Sequence, residues 1–251
     1  DLLSRIAEDI SAKLPADFDL EAAQALYPVD RLQSMNTVLV QELIRFNRLT
    51  AIVRTSLASL KKAIKGLVVM DAELEAIALS LVQGTRPAAW MKRSYPSLKP
   101  LGGYVADLLR RLDFFAHWIA NGIPQSFWIS GFFFTQAFVT GTKQNFARKH
   151  AIAIDNVALT FVCLPQQPED VPEDGVYVYG LYIEGARFNT AAGKLAESEP
   201  KILFTELPHM LLKPVEASKV VEEPHYNCPL YKTSERRGTL STTGHSTNFV
   251  M

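Results

Sequence analysis

Cysteine is nearly missing from this protein. Its 251 positions hold two, Cys163 and Cys228, so no disulfide framework is available and a reducing, intracellular setting is expected. Charge of one sign is missing too, since 26 Lys and Arg balance 26 Asp and Glu. A nucleic-acid binder ordinarily carries a basic excess, and so does a protein drawn to membrane surfaces, so neither partner is expected. The most apolar stretch, Phe127 to Val139, is broken by Ser130, Gly131, Thr135 and Gln136 and is too short to cross a bilayer. The opening Asp1-Leu2-Leu3-Ser4-Arg5 has neither the basic-then-apolar order of a secretion signal nor an initiator Met. The expectation is a soluble fragment of a longer polypeptide.

Signatures of chemistry are equally scarce. A phosphate loop needs Gly, four residues, then Gly-Lys-Ser/Thr, so that backbone amides and the Lys can hold phosphate. Gly193-Lys194 is followed by Leu195, and Phe188 stands where the first Gly belongs. Gly141-Thr142-Lys143 has suitable residues in the wrong order, and no Gly-x-Gly-x-x-Gly occurs. Among five histidines and two cysteines, His225-x-x-Cys228 is the one suggestive pair. A structural zinc site needs a second close pair, and Cys163 and His209 stand alone. Cys228 with His225, or Ser241 with His245, could be drawn as nucleophile and base, but neither lies in a nucleophile elbow. The small, polar run Gly238 to Asn248 reads as a tight loop whose hydroxyls satisfy turn amides, or as an anion cradle. Glu235-Arg236-Arg237 before it reads as a solvated turn or a docking point for an acidic partner. No catalytic, cofactor-binding or metal-binding residue is assigned.

What is present is ordinary globular material, 48% apolar and 21% charged, in two halves of different periodicity. From Ser34 to Gly66, Met35, Leu39, Leu43, Phe46, Leu49, Val53, Leu57, Leu60 and Ile64 recur at steps of three and four, which predicts one long amphipathic helix. Ser34 is its expected N-cap and Gly66 its expected C′ residue, with Lys61, Lys62 and Lys65 on the favourable end of the helix dipole. Further helices are predicted over Asp71–Val82, capped by Asp71, over Tyr104–Ala120 and over Phe132–Lys149. After Ala151 alternation takes over, at Val157–Val162 and Val176–Ile183, with shorter runs at Lys201–Leu207, His209–Lys213, Tyr226–Lys232 and Thr247–Met251. Eight of the 14 prolines punctuate this half. Helices first and short strands afterwards predict an α+β fold, with an antiparallel sheet or small barrel in its second half. Phe127, Trp128, Phe132, Phe133, Phe134 and Phe138 are expected to form core joining the two halves, with Trp90 and Tyr95 in the same packing.

Several strings are also familiar. They are Ser94-Tyr95-Pro96-Ser97-Leu98-Lys99-Pro100-Leu101-Gly102, Trp128-Ile129-Ser130-Gly131-Phe132-Phe133-Phe134-Thr135-Gln136-Ala137-Phe138, and Gln144-Asn145-Phe146-Ala147-Arg148-Lys149. Pro172-Glu173-Asp174-Gly175-Val176-Tyr177, Gly185-Ala186-Arg187-Phe188, and Cys228-Pro229-Leu230-Tyr231-Lys232-Thr233 continuing through Arg236 to Val250 complete the set. In this order they resemble the C-terminal domain of dynein heavy chains, and the last strings resemble axonemal heavy chains more than cytoplasmic ones. The resemblance implies the end of the small helical lid of the last AAA+ module over residues 1–33. It implies a helical subdomain with one long helix over 34–150 and an antiparallel β-barrel over 151–251. Because the family continues past Asn248-Phe249-Val250 with another strand and a His-Trp segment, the barrel is expected to be incomplete or to close differently. The resemblance further implies a non-catalytic role in bracing the AAA+ ring and tuning ATP-driven, minus-end-directed movement on microtubules in a cilium or flagellum. ATP and Mg would be bound by upstream modules, and dynein intermediate and light chains would be partners of the parent heavy chain. The residues taken alone leave two other readings, an independent β-barrel module for a ligand or peptide and a cysteine- or metal-dependent enzyme.

Overall fold

The computed structural model describes residues 2–220. His225, Cys228, Ser241, His245, the 235–248 segment and the two strands expected at Tyr226–Lys232 and Thr247–Met251 lie outside the described residues. Within them the fold is α+β, as periodicity predicts. Helices α1 (Leu2–Lys13), α2 (Leu20–Leu26), α3 (Ser34–Ile64), α4 (Ala72–Val82), α5 (Ala88–Met91) and α6 (Leu101–Asn121) come first. Strand β1 (Ser126–Trp128) and helix α7 (Thr135–Lys149) follow. Strands β2 (Val157–Cys163), β3 (Val176–Tyr179), β4 (Tyr182–Glu184), β5 (Ala186–Asn189), β6 (Lys194–Glu197), β7 (Phe204–Glu206) and β8 (Met210–Glu216) complete the order.

The long helix forms where the apolar stripe predicts it. At 31 residues and 1.5 Å of rise each, α3 is about 46 Å long. Met35, Leu39, Leu43, Phe46, Leu49, Val53, Leu57 and Leu60 are at most 2% exposed, and Ile64 is half-buried. The opposite stripe, Gln41, Arg48, Ala51, Thr55, Ala58 and Lys62, is exposed and steps by sevens, threes and fours around the same cylinder. Gly66 ends the helix as expected. Its φ is +72°; its N–H donates to the Ala63 carbonyl at 2.9 Å and that of Leu67 to the Lys62 carbonyl at 2.9 Å, the paired bonds of a left-handed helix stop. Ser34 departs from expectation. It is the first helical residue, not the cap, and its hydroxyl bonds Gln144 and Arg148 instead. Asp71 does cap α4, accepting from the Leu74 N–H at 2.8 Å.

The described residues fall into two compact units. One holds residues 2–22 and 41–116. Its core gathers Leu43, Leu49, Leu57 and Leu60 of α3, Leu74, Ile77 and Leu81 of α4, and Leu101, Leu108 and Leu112 of α6. At its centre Phe46 meets Phe115 at 5.3 Å and Tyr95 at 6.3 Å between ring centroids. The stretch between α1 and α2 is tied to α3 by Asn47, whose side-chain oxygen accepts from the Phe18 N–H and whose amide donates to the Phe18 carbonyl, both at 2.9 Å. Arg54 pairs with Asp17 and Thr50 donates to the same carboxylate.

The other unit holds Ala23–Val40 and the described residues from His117 onward. Trp118, Phe127, Phe132 and Phe138 form its aromatic core, with centroid distances of 4.6–6.4 Å. Trp90 and Tyr95 pack in the first unit instead, Trp90 donating its indole N–H to Ser56 at 2.8 Å. Phe134 of the same string is exposed.

The strands correct the sequence reading in three places. Ser126–Trp128, read inside the helical half, is strand β1, and it pairs with β3 in parallel, so the sheet is mixed. The four-stranded sheet has the order β1-β3-β8-β2, with β2 and β8 antiparallel from Val157↔Glu216 to Cys163↔Met210. The run Val176–Ile183 breaks at Gly180, whose φ is +84° and whose missing Cβ would fall 2.3 Å from the Trp128 ring. Finally, β4–β7 and β5–β6 are separate two-stranded sheets, so the described strands do not close a barrel. Pro214 stands opposite Leu159 of β2 in a non-hydrogen-bonded pair, as the Leu164 N–H to His209 carbonyl bond sets the register, and β3 pairs with β8 only from Met210 to Leu212, so no ladder bond is lost at Pro214.

Candidate functional site

The residues weighed as chemical candidates are dispersed. Cys163 ends β2 opposite Met210, and burial raises its thiol pKa, which keeps it in the unreactive form. His209 lies one residue before Met210 and its ring stacks on Tyr179 at 5.2 Å. Cys163 faces Met210, and successive residues of a strand point to opposite faces, so His209 and Cys163 are not aimed together. Gly193-Lys194 closes the β5–β6 hairpin. Asn189 accepts there from the N–H groups of Ala191 and Ala192, both at 3.1 Å, so the turn spends its amides on itself. Gly141-Thr142 lies inside α7, with Gly141 against Met35 and Val38 and Thr142 donating to the Phe138 carbonyl. Among the described residues no three His, Cys, Asp or Glu residues converge as metal ligands. No helix among the described residues is long and apolar enough to cross a membrane.

The polar residues that do converge lie within or against the familiar strings, and they form two constellations. The first surrounds Ser94–Gly102. Asp107, nearly two turns into α6 and 8% exposed, accepts from Arg111 Nε at 2.8 Å and from Lys99 Nζ at 2.7 Å. Arg111 also lies 3.8 Å over the Tyr95 ring. Tyr104 and Ser94 share a hydrogen bond of 2.8 Å. Burial alone would raise the Asp107 pKa, but the Arg111 charge and the hydrogen bonds from Lys99 and Arg111 outweigh it and leave the carboxyl below 3.8. Burial pushes the Tyr95 phenol far above its usual range and Tyr104 up to about 12, where the Ser94 hydrogen bond and the Arg111 charge pull the other way. Both tyrosines therefore stay neutral and serve as packing. Chemically, the arrangement fastens the 94–100 segment onto α6.

The second constellation surrounds α7. Asn145 accepts from the Ser34 N–H at 2.7 Å, and Arg148 donates to the Arg31 carbonyl at 2.7 Å and to the Ser34 hydroxyl at 3.2 Å. The first turn of α3, whose N–H groups have no partners within the helix, is thus served from a helix far along the sequence. Past the end of α7, Asp174 accepts from Lys149 at 2.8 Å and from His150 at 3.1 Å, joining the Gln144–Lys149 string to the Pro172–Tyr177 string. Burial acts to raise the Asp174 pKa, but the bonds from Lys149 and His150 prevail and hold it below 3.8. The sequence marks these strings without showing the pairings within them. The one signal that could have found a pairing is Asp107 and Arg111 four apart on a face otherwise apolar, a spacing that places both on one side of a helix.

The sequence as a whole has counterparts among known proteins. The profile of the C-terminal domain of dynein heavy chains matches residues 1–251. The sequence is 56% identical to dynein axonemal heavy chain 3 of Homo sapiens over 253 aligned residues, covering 100% of the present protein and 6% of that relative. It is 57% identical to dynein axonemal heavy chain 12 of Mus musculus, with 100% and 8% covered. Against dynein axonemal heavy chain 1 of Rattus norvegicus the identity is 51%, with 100% and 6% covered. The 251 residues thus span less than a tenth of the length of these relatives. A match along all 251 residues, at more than half identity and with the motif strings inside it, places this protein in the family of C-terminal domains of dynein heavy chains.

Proposed function

We propose that these 251 residues are the non-catalytic C-terminal domain of an axonemal dynein heavy chain, bracing the AAA+ ring and tuning ATP-driven, minus-end-directed movement on microtubules in a cilium or flagellum. The observation that carries the reading is identity of more than half, along the whole sequence, to heavy chains that are axonemal by name. On this reading ATP and Mg are handled by upstream modules, and the partners are those modules together with the dynein intermediate and light chains.

The exposed stripe of α3 is the natural place to test coupling to the ring. Leu57 is unsuitable, because it is fully buried and Leu57→Asp would test folding instead. Thr55→Glu with Ala58→Glu changes two exposed positions and leaves the core alone. In a full-length heavy chain this pair is expected to change microtubule gliding velocity by about twofold or more, the scale of about 0.5 kcal/mol of coupling, with nucleotide affinity unchanged. Unaltered gliding would remove the coupling role, and ATP turnover by the purified 251-residue protein would remove the non-catalytic assignment.

A further inference from the structure

One segment of the first unit concentrates positive charge in a protein that is neutral as a whole. Between Ala76 and Ala106 there are four basic residues, Arg86, Lys92, Arg93 and Lys99, and no Asp or Glu. The structure folds the middle of this segment into a closed loop. The Leu101 N–H donates to the Gly84 carbonyl at 2.9 Å and brings the two ends of residues 85–100 together. Trp90 and Tyr95, 0% and 2% exposed, hold it down from inside.

With its aromatic rings turned inward, the loop shows solvent a different face. Lys92, Arg93, Lys99, Pro96, Pro100 and Leu98 are exposed, Leu98 by 62%. Lys99 is held by Asp107, but Lys92 and Arg93 meet no carboxylate among the described residues. Arg86, half-buried, adds its charge near Tyr104. Two cations with no carboxylate partner among the described residues, in one loop with an exposed leucine and two exposed prolines, give a surface of mixed basic and apolar character. A nucleic acid would want exposed rings to stack on, and here Trp90, Tyr95 and Tyr104 are all buried. An anionic membrane needs a cluster of about four to eight basic residues free to meet it, whereas here Lys99 is held by Asp107 and Arg86 is half-buried, which leaves Lys92 and Arg93. A carboxylate-rich peptide with one apolar residue matches both parts of the surface.

We propose that the outer face of residues 85–100 is a docking surface for an acidic polypeptide segment, with Lys92 and Arg93 recognising its carboxylates and Leu98 contacting an apolar residue. The test titrates the full 251-residue protein into a labelled glutamate-rich peptide carrying a single leucine, and into the lysine-rich counterpart. Binding is expected for the glutamate peptide alone, weakening several-fold as salt rises from about 0.05 to 0.2 M. K92E with R93E should weaken it about tenfold or more, whereas K62E with K65E, two exposed cations elsewhere, should stay within about twofold. Leu98→Ser should weaken it about threefold. If the reversed pair loses its far-ultraviolet dichroism, K92Q with R93Q gives the same reading at smaller size. No binding to the glutamate peptide, or equal losses from both reversed pairs, would overturn the proposal. Phosphatidylserine vesicles that bind with the same dependence on Lys92 and Arg93 would overturn it in favour of a lipid surface.

Discussion

Asp107 shows how much a single residue can hold. It is buried, and it serves Arg111 from its own helix and Lys99 from the preceding loop. Removing one partner of a buried pair leaves the other charge uncompensated, at a cost of about 3–5 kcal/mol. Because the Lys99 end is 56% exposed, Asp107→Asn is expected at the lower end, about 3 kcal/mol, read as a lower urea midpoint at constant m-value. Lys99→Ala, at the exposed end, should cost no more than about 1 kcal/mol. A loss of less than about 1 kcal/mol for Asp107→Asn would mean that the loop is held by packing alone. The sequence exposes the members of this cluster but not their order of importance. A charged residue on an apolar helix face is visible from spacing; that a lysine eight positions earlier folds back onto it depends on the Pro96–Pro100 loop, for which no periodicity exists.

At the scale of elements, legibility follows period and length. Helix α3 is readable because nine apolar residues keep one phase over eight turns, a pattern too long to arise from a strand or loop. Strand β1 is not, because Ser126–Trp128 is three residues long and sits in an aromatic run that fits helix or strand equally. The β5–β6 hairpin escapes because Ala186–Asn189 shows no clean alternation and its loop is four residues, not the two that mark a tight hairpin. Helix ends are better specified, and two of them make opposite predictions. Gly66 has a positive φ and open space around its Cβ position, so Gly66→Ala meets conformational strain alone and should cost about 1 kcal/mol. Ala151, just past α7, has a φ of +54° with a Cβ already present. Ala151→Gly relieves that strain against a smaller entropic loss and should stabilise by about 0.5 kcal/mol. Thermal unfolding of the two variants should shift in opposite directions, by about 2–4 °C per kcal/mol; shifts of the same sign would refute the strain argument.

At the scale of the whole molecule, Asp107 and Asp174 give stability a common pH dependence. Both carboxyls sit below their ordinary 3.8 in the folded protein. A depressed carboxylate contributes its full stability above the unfolded value and loses it as pH falls through the lower folded value. The urea midpoint should therefore change little on their account from neutral pH down to about 5, then fall below about 4. Asp107→Asn with Asp174→Asn should flatten the acid limb; an unchanged acid limb would assign it to other carboxylates. Family membership is legible because long strings of residues persist in order, although the barrel that the resemblance implies is not closed by the described strands.

The clamp on α3 has a further consequence in time. The Ser34 N–H and the Asn145 oxygen that receives it are 111 residues apart. Ribosomes add about 5–20 residues per second, so the longest helix among the described residues waits roughly 6–20 s for the partner of its first turn. During synthesis its start is open to chaperones or to premature pairing, and the rate at which the residues from α3 through α7 are translated sets how long that window lasts.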